Sequence, residues 1–466
     1  MHCPLNWYSS ENIAVVSDRN EQLSYSNIGD FISKSSLLLQ PRSLAFCLCN
    51  NEIGSLLAYL ACLENGVVPV MLDASKDLES IIKLLDIYKP NYVWAPDSIA
   101  DGFGFDCVSS HYGYSLLSAY NFNHNLHPDL ALLLTTSGST GSPKLVRLTY
   151  KNILSNAESI AEYLDITDKE RPITSLPMYY SFGISVINSH LLKGATILLT
   201  DKSIAQKEFW TFVKEQKATS LSGVPYTFEM LKRLRVFRMD LPYLKTFTQA
   251  GGKLNADLAK EYIENSAACG KRFIVMYGQT EATARMSYLP WNKALEKYSS
   301  IGIAIPGGRF SIEDTQHNEI TEPNVDGELV YRGPNVSMGY AECIEDLAKG
   351  DENCGVLHTG DVARRDKDGF YYITGRMKRF VKVFGNRVNL DATEQILKSA
   401  GFECSVVGVD DKITIFVVRD GLEQDIKDLL LQKTGLNIRA FNVRQIEKIP
   451  KSTSGKVLYS ELMKLI

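Results

Sequence analysis

The sequence predicts an α/β fold. A large N-terminal part of parallel sheets with a small β-barrel-like segment is followed by a small α+β C-terminal domain. Two observations carry this. Short apolar runs alternate with helical patterns as far as Tyr277, the signature of a parallel sheet covered on both sides. From about Ser299 the pattern changes to short strands broken by Gly and Pro, and after Arg376 to a compact tail.

The elements follow in order. Ser55 to Asn65 reads as a helix and Val67 to Met71 as a strand. His111 to His127 is polar and irregular, and is expected to be a surface connection. Leu130 to Leu134 is a buried strand, followed by a Gly/Ser/Thr loop. Ile153, Ala157, Ile160, Ala161 and Leu164 share a helical face. Strands at 195–200, 219–222, 244–249 and 273–277 alternate with helices at 208–216, 226–234 and 256–266. Gly307-Gly308, Gly327 to Pro334 and Gly369 to Ile373 mark the antiparallel or barrel-like segment. In the tail, a helix at 391–398 is expected to open with a capping box, Asp391 and Glu394. Strands at 406–409 and 413–418 flank Asp410-Asp411. A second helix, 424–433, stops at Gly435. The expected domains are 1–376 and 377–466.

Composition narrows the function. The 466 residues carry 50 Lys+Arg and 54 Asp+Glu, a formal charge of −4, with 45% hydrophobic residues. This excludes a mainly disordered chain, a collagen and a disulfide miniprotein. It also argues against a polyanion binder, which shows a basic excess. Nine cysteines are scattered without a C-x-x-C pair. Cys47 and Cys49 alternate in an apolar run, so packed core thiols are expected on one strand face. The N-terminus has no signal-peptide pattern. No run of about 18 apolar residues occurs. A cytoplasmic location without a membrane span is expected.

In parallel α/β sheets, ligands bind beyond the carboxyl ends of the strands. The loops there carry the chemistry. Thr136, Ser137, Gly138, Ser139, Thr140 and Gly141 precede Pro143-Lys144. Glycines admit backbone N–H groups close to a ligand, hydroxyls add donors, and lysine adds charge for phosphate oxygens. The Walker spacing is not met. Tyr277-Gly278-Gln279-Thr280-Glu281 brings an aromatic, a hydroxyl and a carboxylate together. A carboxylate beside a phosphate loop suits Mg²⁺. Asp361, in His358-Thr-Gly-Asp361, suits ribose hydroxyls, and Arg376 follows in Ile373-Thr-Gly-Arg376. Lys456, in Ser454-Gly-Lys456, would offset charge on a reacting phosphoryl group.

Together, in this order, these motifs resemble those of the adenylate-forming superfamily. It includes acyl- and aryl-CoA synthetases, adenylation domains of nonribosomal peptide synthesis and beetle luciferase. The resemblance covers essentially the whole chain. It implies an AMP-forming acid–thiol ligase using ATP and Mg²⁺, with CoA or a phosphopantetheinylated carrier protein as acceptor. Thr136 to Lys144 would hold the β- and γ-phosphates, Thr280 would touch the α-phosphate, and Glu281 would hold Mg²⁺. Gly251, Gly252 and Tyr277 would meet adenine, and Asp361 and Arg376 the ribose. Lys456 would bridge the carboxylate and the α-phosphate. Lys378 would be the hinge of a mobile C-terminal domain. Lys382, Gly385 and Arg387 would face the nucleotide during thioester formation.

The acid pocket is expected from Tyr180, Ser181, Gly183, Ile184, Ser222, Gly223, Val224 and Gln249. Tyr180 stands where the family usually carries an aromatic or His. Gly183 stands where amino-acid-activating members carry Asp, so α-amino acids are expected to be poor substrates. Small and polar lining suits a short acyl, hydroxyacyl or aryl acid. Arg285 has two readings: contact with a second polar group on the acid, or an outward-facing strand residue. Lys378, Arg379, Lys382 and Arg387 form a basic cluster for an acceptor's phosphates or an acidic carrier protein, or a solvated face. The compensating acids are expected elsewhere. No nucleic-acid partner is expected. The alternatives are a luciferase-like oxygenase acting on its own adenylate and an inert nucleotide-binding homologue.

Overall fold

The computed structural model describes residues 10–135, 144–384, 386–451 and 457–466, with backbone alone at 378, 386 and 387. The chain forms two compact units, 1–309 with 332–357, and 310–331 with 358–466.

The first unit holds two large sheets. One has eight strands, in the order Tyr340–Ala341, Leu145–Thr149, Leu130–Thr135, Val68–Asp73, Leu44–Cys49, Tyr92–Pro96, Tyr114–Ser118 and Asp106–His111. Its four central strands, from Leu130–Thr135 to Tyr92–Pro96, are joined by three parallel ladders, and the pairings on either side of them are antiparallel. The other has nine strands, with a parallel centre running from Ile13–Ser17 through Ile197–Leu199, Pro172–Ile173, Ser220–Gly223 and Thr246–Gln249 to Arg272–Tyr277.

Two helices explain how the sheets share a core. Ile53–Glu64 is apolar all round and buried from Ile53 to Leu63. Ser181–Leu191 is buried at all but one position. The first has no polar face and needs apolar cover on every side, while the second carries a polar stripe of Ser181, Ser185 and Asn188. Both lie in one core cluster with residues of both sheets, Ala45, Cys47 and Met71 from one and Val15, Ile197 and Leu199 from the other. Cys47 and Cys49 lie on the same face in this core as free thiols. Burial pushes the Cys49 thiol well up.

Two readings of this unit need correction. Residues 111–127 are not wholly a surface connection, because Tyr114–Ser118 is a buried strand paired with Tyr92–Pro96. The Gly/Ser/Thr loop leads into a second strand, Leu145–Thr149, which pairs antiparallel with Leu130–Thr135, before the helix Tyr150–Tyr163 begins.

The second unit is built on an open four-stranded sheet, Arg309–Glu313, Gly327–Arg332, Val356–Arg365 and Tyr371–Arg376, whose last two strands pair antiparallel. No closed barrel is formed among the described residues. A hairpin, Phe380–Val383 with Asn386–Asn389, leads into the helix Leu390–Ser399. The strands Cys404–Val409, Lys412–Val417 and Phe441–Gln445 complete an α+β layer with Glu423–Thr434. Val383, Leu390, Leu397, Val406, Ile413, Ile415, Ile426 and Leu430 are its core.

The expected capping box does not form. Asn389 caps the helix, accepting from the N–H groups of Asp391 and Ala392. Asp391 and Glu394 instead bind Arg379. Glu394 also accepts from Val406 N–H, the Tyr459 hydroxyl and Lys398. No helix of the described residues is long and apolar enough to cross a membrane.

Candidate active site

Register brings the candidate loops to one edge. Gly223, Gln249 and Val275 are direct partners across three parallel strands. The chain after each therefore emerges at the same end of the sheet. There Ala250 N–H donates to the Gly223 carbonyl, and the Gln249 amide donates to the Gly252 carbonyl at 2.9 Å. Gln249 is thus spent on shaping its own loop.

Gly251 has φ +81°, and a Cβ there would meet the Tyr180 hydroxyl at 2.8 Å and Val224 Cγ1 at 3.0 Å. The expected adenine segment and acid pocket are therefore in direct contact. Gly252 lies against Pro225. Ser222 shares a 2.8 Å hydroxyl contact with Thr248.

Tyr180 precedes the helix Ser181–Leu191, whose two faces divide the expected pocket. Phe182 and Val186 pack with Tyr180, Val224, Ala250 and Met276. Ile184 instead joins the large core with Leu132, Leu134 and Ile153. Positions 182 and 186 share one helical face and 184 and 187 another. A Cβ on Gly183 would lie 2.1 Å from the Pro177 carbonyl oxygen. That backbone contact leaves no room for an Asp.

Past the strand Arg272–Tyr277, the turn Thr280–Ala282 carries the hydroxyl and the carboxylate. Gln279 donates to the Tyr277 hydroxyl at 3.2 Å. The Thr280 and Ser181 hydroxyls lie 3.0 Å apart, joining the expected α-phosphate contact to the acid pocket. The Tyr340 hydroxyl donates to Glu281 Oε1 at 2.7 Å. Lys144 lies 4.9 Å from the Tyr340 ring centroid and 2.7 Å from Glu342. Burial, then the Glu281 carboxylate, pushes the Tyr340 phenol well up, so it stays a donor.

The sequence did not reveal Tyr340 and Glu342. The Tyr340–Ala341 strand reaches the site by pairing with Leu145–Val146. Buried Arg147 fixes that segment through the carbonyls of Tyr340, Met338, Lys349 and Gly350 and a 2.6 Å ion pair with Glu352. Asn335 was also missed. It is buried and donates to the carbonyls of Ala282 and Arg285, holding the turn after Glu281.

Arg285 does not face outward. It is 1% exposed, with Nη1 donating to Met276 Sδ at 2.6 Å and Nη2 to the Ser185 hydroxyl at 3.2 Å. Its guanidinium lies 3.9 Å from the Phe182 ring centroid.

In the second unit, Asp361 and Arg376 are partners on adjacent strands. Arg376 Nε donates to the buried Asp361 carboxylate at 3.0 Å. The Thr359 hydroxyl accepts from Asp361 N–H and donates to the Leu329 carbonyl, which sets the turn.

The basic cluster is corrected in part. Arg379 is 11% exposed, paired with Asp391 and Glu394, and stacked 3.7 Å from the Tyr459 ring centroid. It belongs to the fold of the C-terminal layer and is not a free cation. With Glu342 beside Lys144, the compensating acids are not all elsewhere. Lys382 is exposed on the hairpin, opposite Arg387 in register. Thr136, Ser137, Gly138, Ser139, Thr140, Gly141, Gly385 and Lys456 lie outside the described residues, as do the side chains of Lys378 and Arg387.

Two parallel sheets with polar loops gathered at their carboxyl edge define an adenylate-forming fold. The ATP-bound MatB structure from Rhodopseudomonas palustris has this fold, with a TM-score of 0.81 at 22% identity over 100% of this chain and 99% of that one. So does o-succinylbenzoate CoA synthetase (MenE) from Bacillus subtilis, with a TM-score of 0.80 at 19% identity, covering 99% and 98%. The chain belongs to the AMP-binding enzyme family, whose profile matches residues 8–341. Its relatives include acyl-CoA ligases. A feruloyl-CoA synthase of Amycolatopsis sp is 28% identical over 364 residues, 72% of this chain and 69% of the relative. A long-chain-fatty-acid–CoA ligase of Escherichia coli O157:H7 is 31% identical over 360 residues, 72% of this chain and 61% of the relative, under two thirds of its length.

Proposed function

We propose that this chain activates a small carboxylic acid as its acyl-adenylate and transfers the acyl group to a phosphopantetheine thiol. The observation that carries this reading is the 3.0 Å contact between Thr280 and Ser181. It sets a hydroxyl of the nucleotide loop against the first residue of the pocket helix. An acid bound there would meet the α-phosphate with little further movement.

In the first step a carboxylate oxygen attacks the α-phosphorus, and the bond to pyrophosphate breaks. In the second a thiolate sulfur attacks the acyl carbon, and the bond to AMP breaks. Two anions must meet in the first step. Lys144 and Lys456 offset their charge. Glu281 fits Mg²⁺ by the chemistry of its donor: a half-buried carboxylate with Oε1 oriented by Tyr340. Mg²⁺, when bound, supplies charge neutralisation on the phosphates. Asp361, oriented by Arg376 and its turn, would accept from ribose hydroxyls.

The relatives' names point to CoA as the acceptor, and Lys382 and Arg387 would meet its phosphates. A separate carrier protein is the second form of the same chemistry. The domain expected from 377 onward would turn about Lys378 between the steps, a gating motion.

The test is an acid-dependent pyrophosphate-release and hydroxamate screen, repeated with CoA and with a phosphopantetheinylated carrier. Lys456→Ala should abolish adenylation yet spare thioester formation from supplied adenylate. Lys378→Pro, by stiffening φ, should do the reverse. Unchanged adenylation in Lys456→Ala would overturn the role of that lysine. Fastest exchange with an α-amino acid would overturn the substrate reading.

A further inference from the structure

Two arginines of the first unit are fully buried, and their surroundings differ. Arg147 is neutralised by the Glu352 carboxylate and bonded to four backbone carbonyls. Arg285 is bonded to a thioether and a serine hydroxyl and lies over a phenyl ring. Its Nε has no hydrogen-bond partner. Among the described residues, no carboxylate pairs with it. None of the remaining residues of the chain is Asp or Glu.

The groups around Arg285 are neutral. Tyr163 donates to the same Met276 sulfur at 3.1 Å. Burial pushes the Tyr163 phenol up, so it does not supply a phenolate. His190 is held neutral by burial and by Arg285 itself. A buried cation without an anion is costly, and such a desolvated charge marks a candidate ligand site. A guanidinium matches a carboxylate in shape and hydrogen bonding.

We propose that the acid this chain activates carries a second carboxylate, which binds Arg285. The proposal rests on the cleft being an acid-activating site, and it names the substrate class of that site. The spacing supports it. Ser181, against Thr280, marks the reacting end. Ser185, against Arg285, marks the other. They sit four residues apart on one helix, one turn or roughly 6 Å at 1.5 Å per residue. Succinate, glutarate, adipate and benzene dicarboxylates bracket that span.

The experiment compares each of these diacids with its monomethyl ester, on the full-length enzyme. Pyrophosphate release gives kcat/KM, and thermal shift without ATP reports binding. Wild type should prefer at least one diacid over its ester by about 100-fold or more, since a buried polar site rejects the ligand that leaves it unpaired. In Arg285→Met the ratio should fall to within about threefold of one. Arg285→Lys should keep part of the preference. Wild type alone decides if the Met variant does not fold. Equal use of esters and diacids by wild type, or an unchanged ratio in Arg285→Met, would overturn the proposal and leave acid activation standing. A diacid that raises the wild-type Tm but not that of Arg285→Met, with no acid releasing pyrophosphate, would support the Arg285 site and overturn the ligase reading. No activity and no shift would overturn both.

Discussion

The Tyr340 hydroxyl donates a 2.7 Å hydrogen bond to Glu281 Oε1, joining residues 59 apart in sequence. The Lys144 ammonium lies over the same ring. Tyr340 therefore orients the proposed Mg²⁺ ligand and packs against the proposed phosphate-binding lysine. Tyr340→Phe keeps the ring and removes only the donor. A hydrogen bond to a charged acceptor is worth enough to raise KM for Mg·ATP about tenfold. Pyrophosphate exchange measured across a MgCl2 titration checks this. An unchanged Mg²⁺ dependence would remove Tyr340 from the site.

Asp361 is buried, with the Arg376 guanidinium 3.0 Å away. Its carboxylate is the proposed acceptor for ribose hydroxyls. Asp361→Asn keeps the shape, loses the charge and turns one acceptor into a donor. We expect KM for ATP to rise by about ten- to a hundredfold, the range for losing a charged hydrogen-bond acceptor. The variant should also stop distinguishing ATP from 2′-deoxy-ATP. The ratio of kcat/KM for the two nucleotides is the readout. A wild-type enzyme indifferent to the 2′-hydroxyl would contradict the assignment.

What was legible in the sequence was local. Glycine, hydroxyl and carboxylate chemistry within a few residues marked the loops after Leu134, Gln249 and Tyr277, and alternating strands and helices marked the sheets. What was not legible depended on distant pairing. Tyr340 reaches Glu281 only because Tyr340–Ala341 zips onto Leu145–Val146, about 195 residues away in sequence. Arg379 reads as one more basic residue in a hairpin until Asp391 and Glu394 fold back on it. The capping box is absent because the helix starts earlier, with Asn389 as its N-cap, which leaves Asp391 inside the first turn. Arg285 had two readings because one sequence position does not report its burial.

Gly251 and Tyr180 offer a test of how the nucleotide loop and pocket are coupled. A methyl group on Gly251 would meet the Tyr180 hydroxyl at 2.8 Å, and its φ of +81° disfavours any side chain. Gly251→Ala should cost about 1–3 kcal/mol, combining backbone strain with the clash. Tyr180→Phe removes the clashing oxygen and leaves the backbone conformation as it was. The double variant should therefore recover part of the loss and not all of it, a non-additive cycle. Urea unfolding and acid KM for the single and double variants measure both effects. Strict additivity would show that the two residues do not touch.

His190 predicts how stability depends on pH. It is 4% exposed, and its Nδ1–H donates to the Val186 carbonyl at 2.8 Å. Burial, reinforced by the Arg285 charge, lowers its pKa from the ordinary 6.5 to about 4. Between those values the unfolded chain binds a proton that the folded chain refuses. Stability from this residue is therefore complete above pH 6.5 and is lost as pH falls towards 4. At 1.36 kcal/mol per unit, the whole loss is about 3 kcal/mol. His190→Gln keeps a donor for the Val186 carbonyl and cannot titrate. Its urea midpoint should fall less steeply than that of wild type between pH 6.5 and 4, while other acid-sensitive groups contribute equally to both. Arg285→Met should act in the same direction and more weakly, because removing the neighbouring charge raises the His190 pKa and narrows the window. Parallel curves for wild type and His190→Gln would mean that the imidazole is already protonated in the fold, or solvated enough to titrate normally.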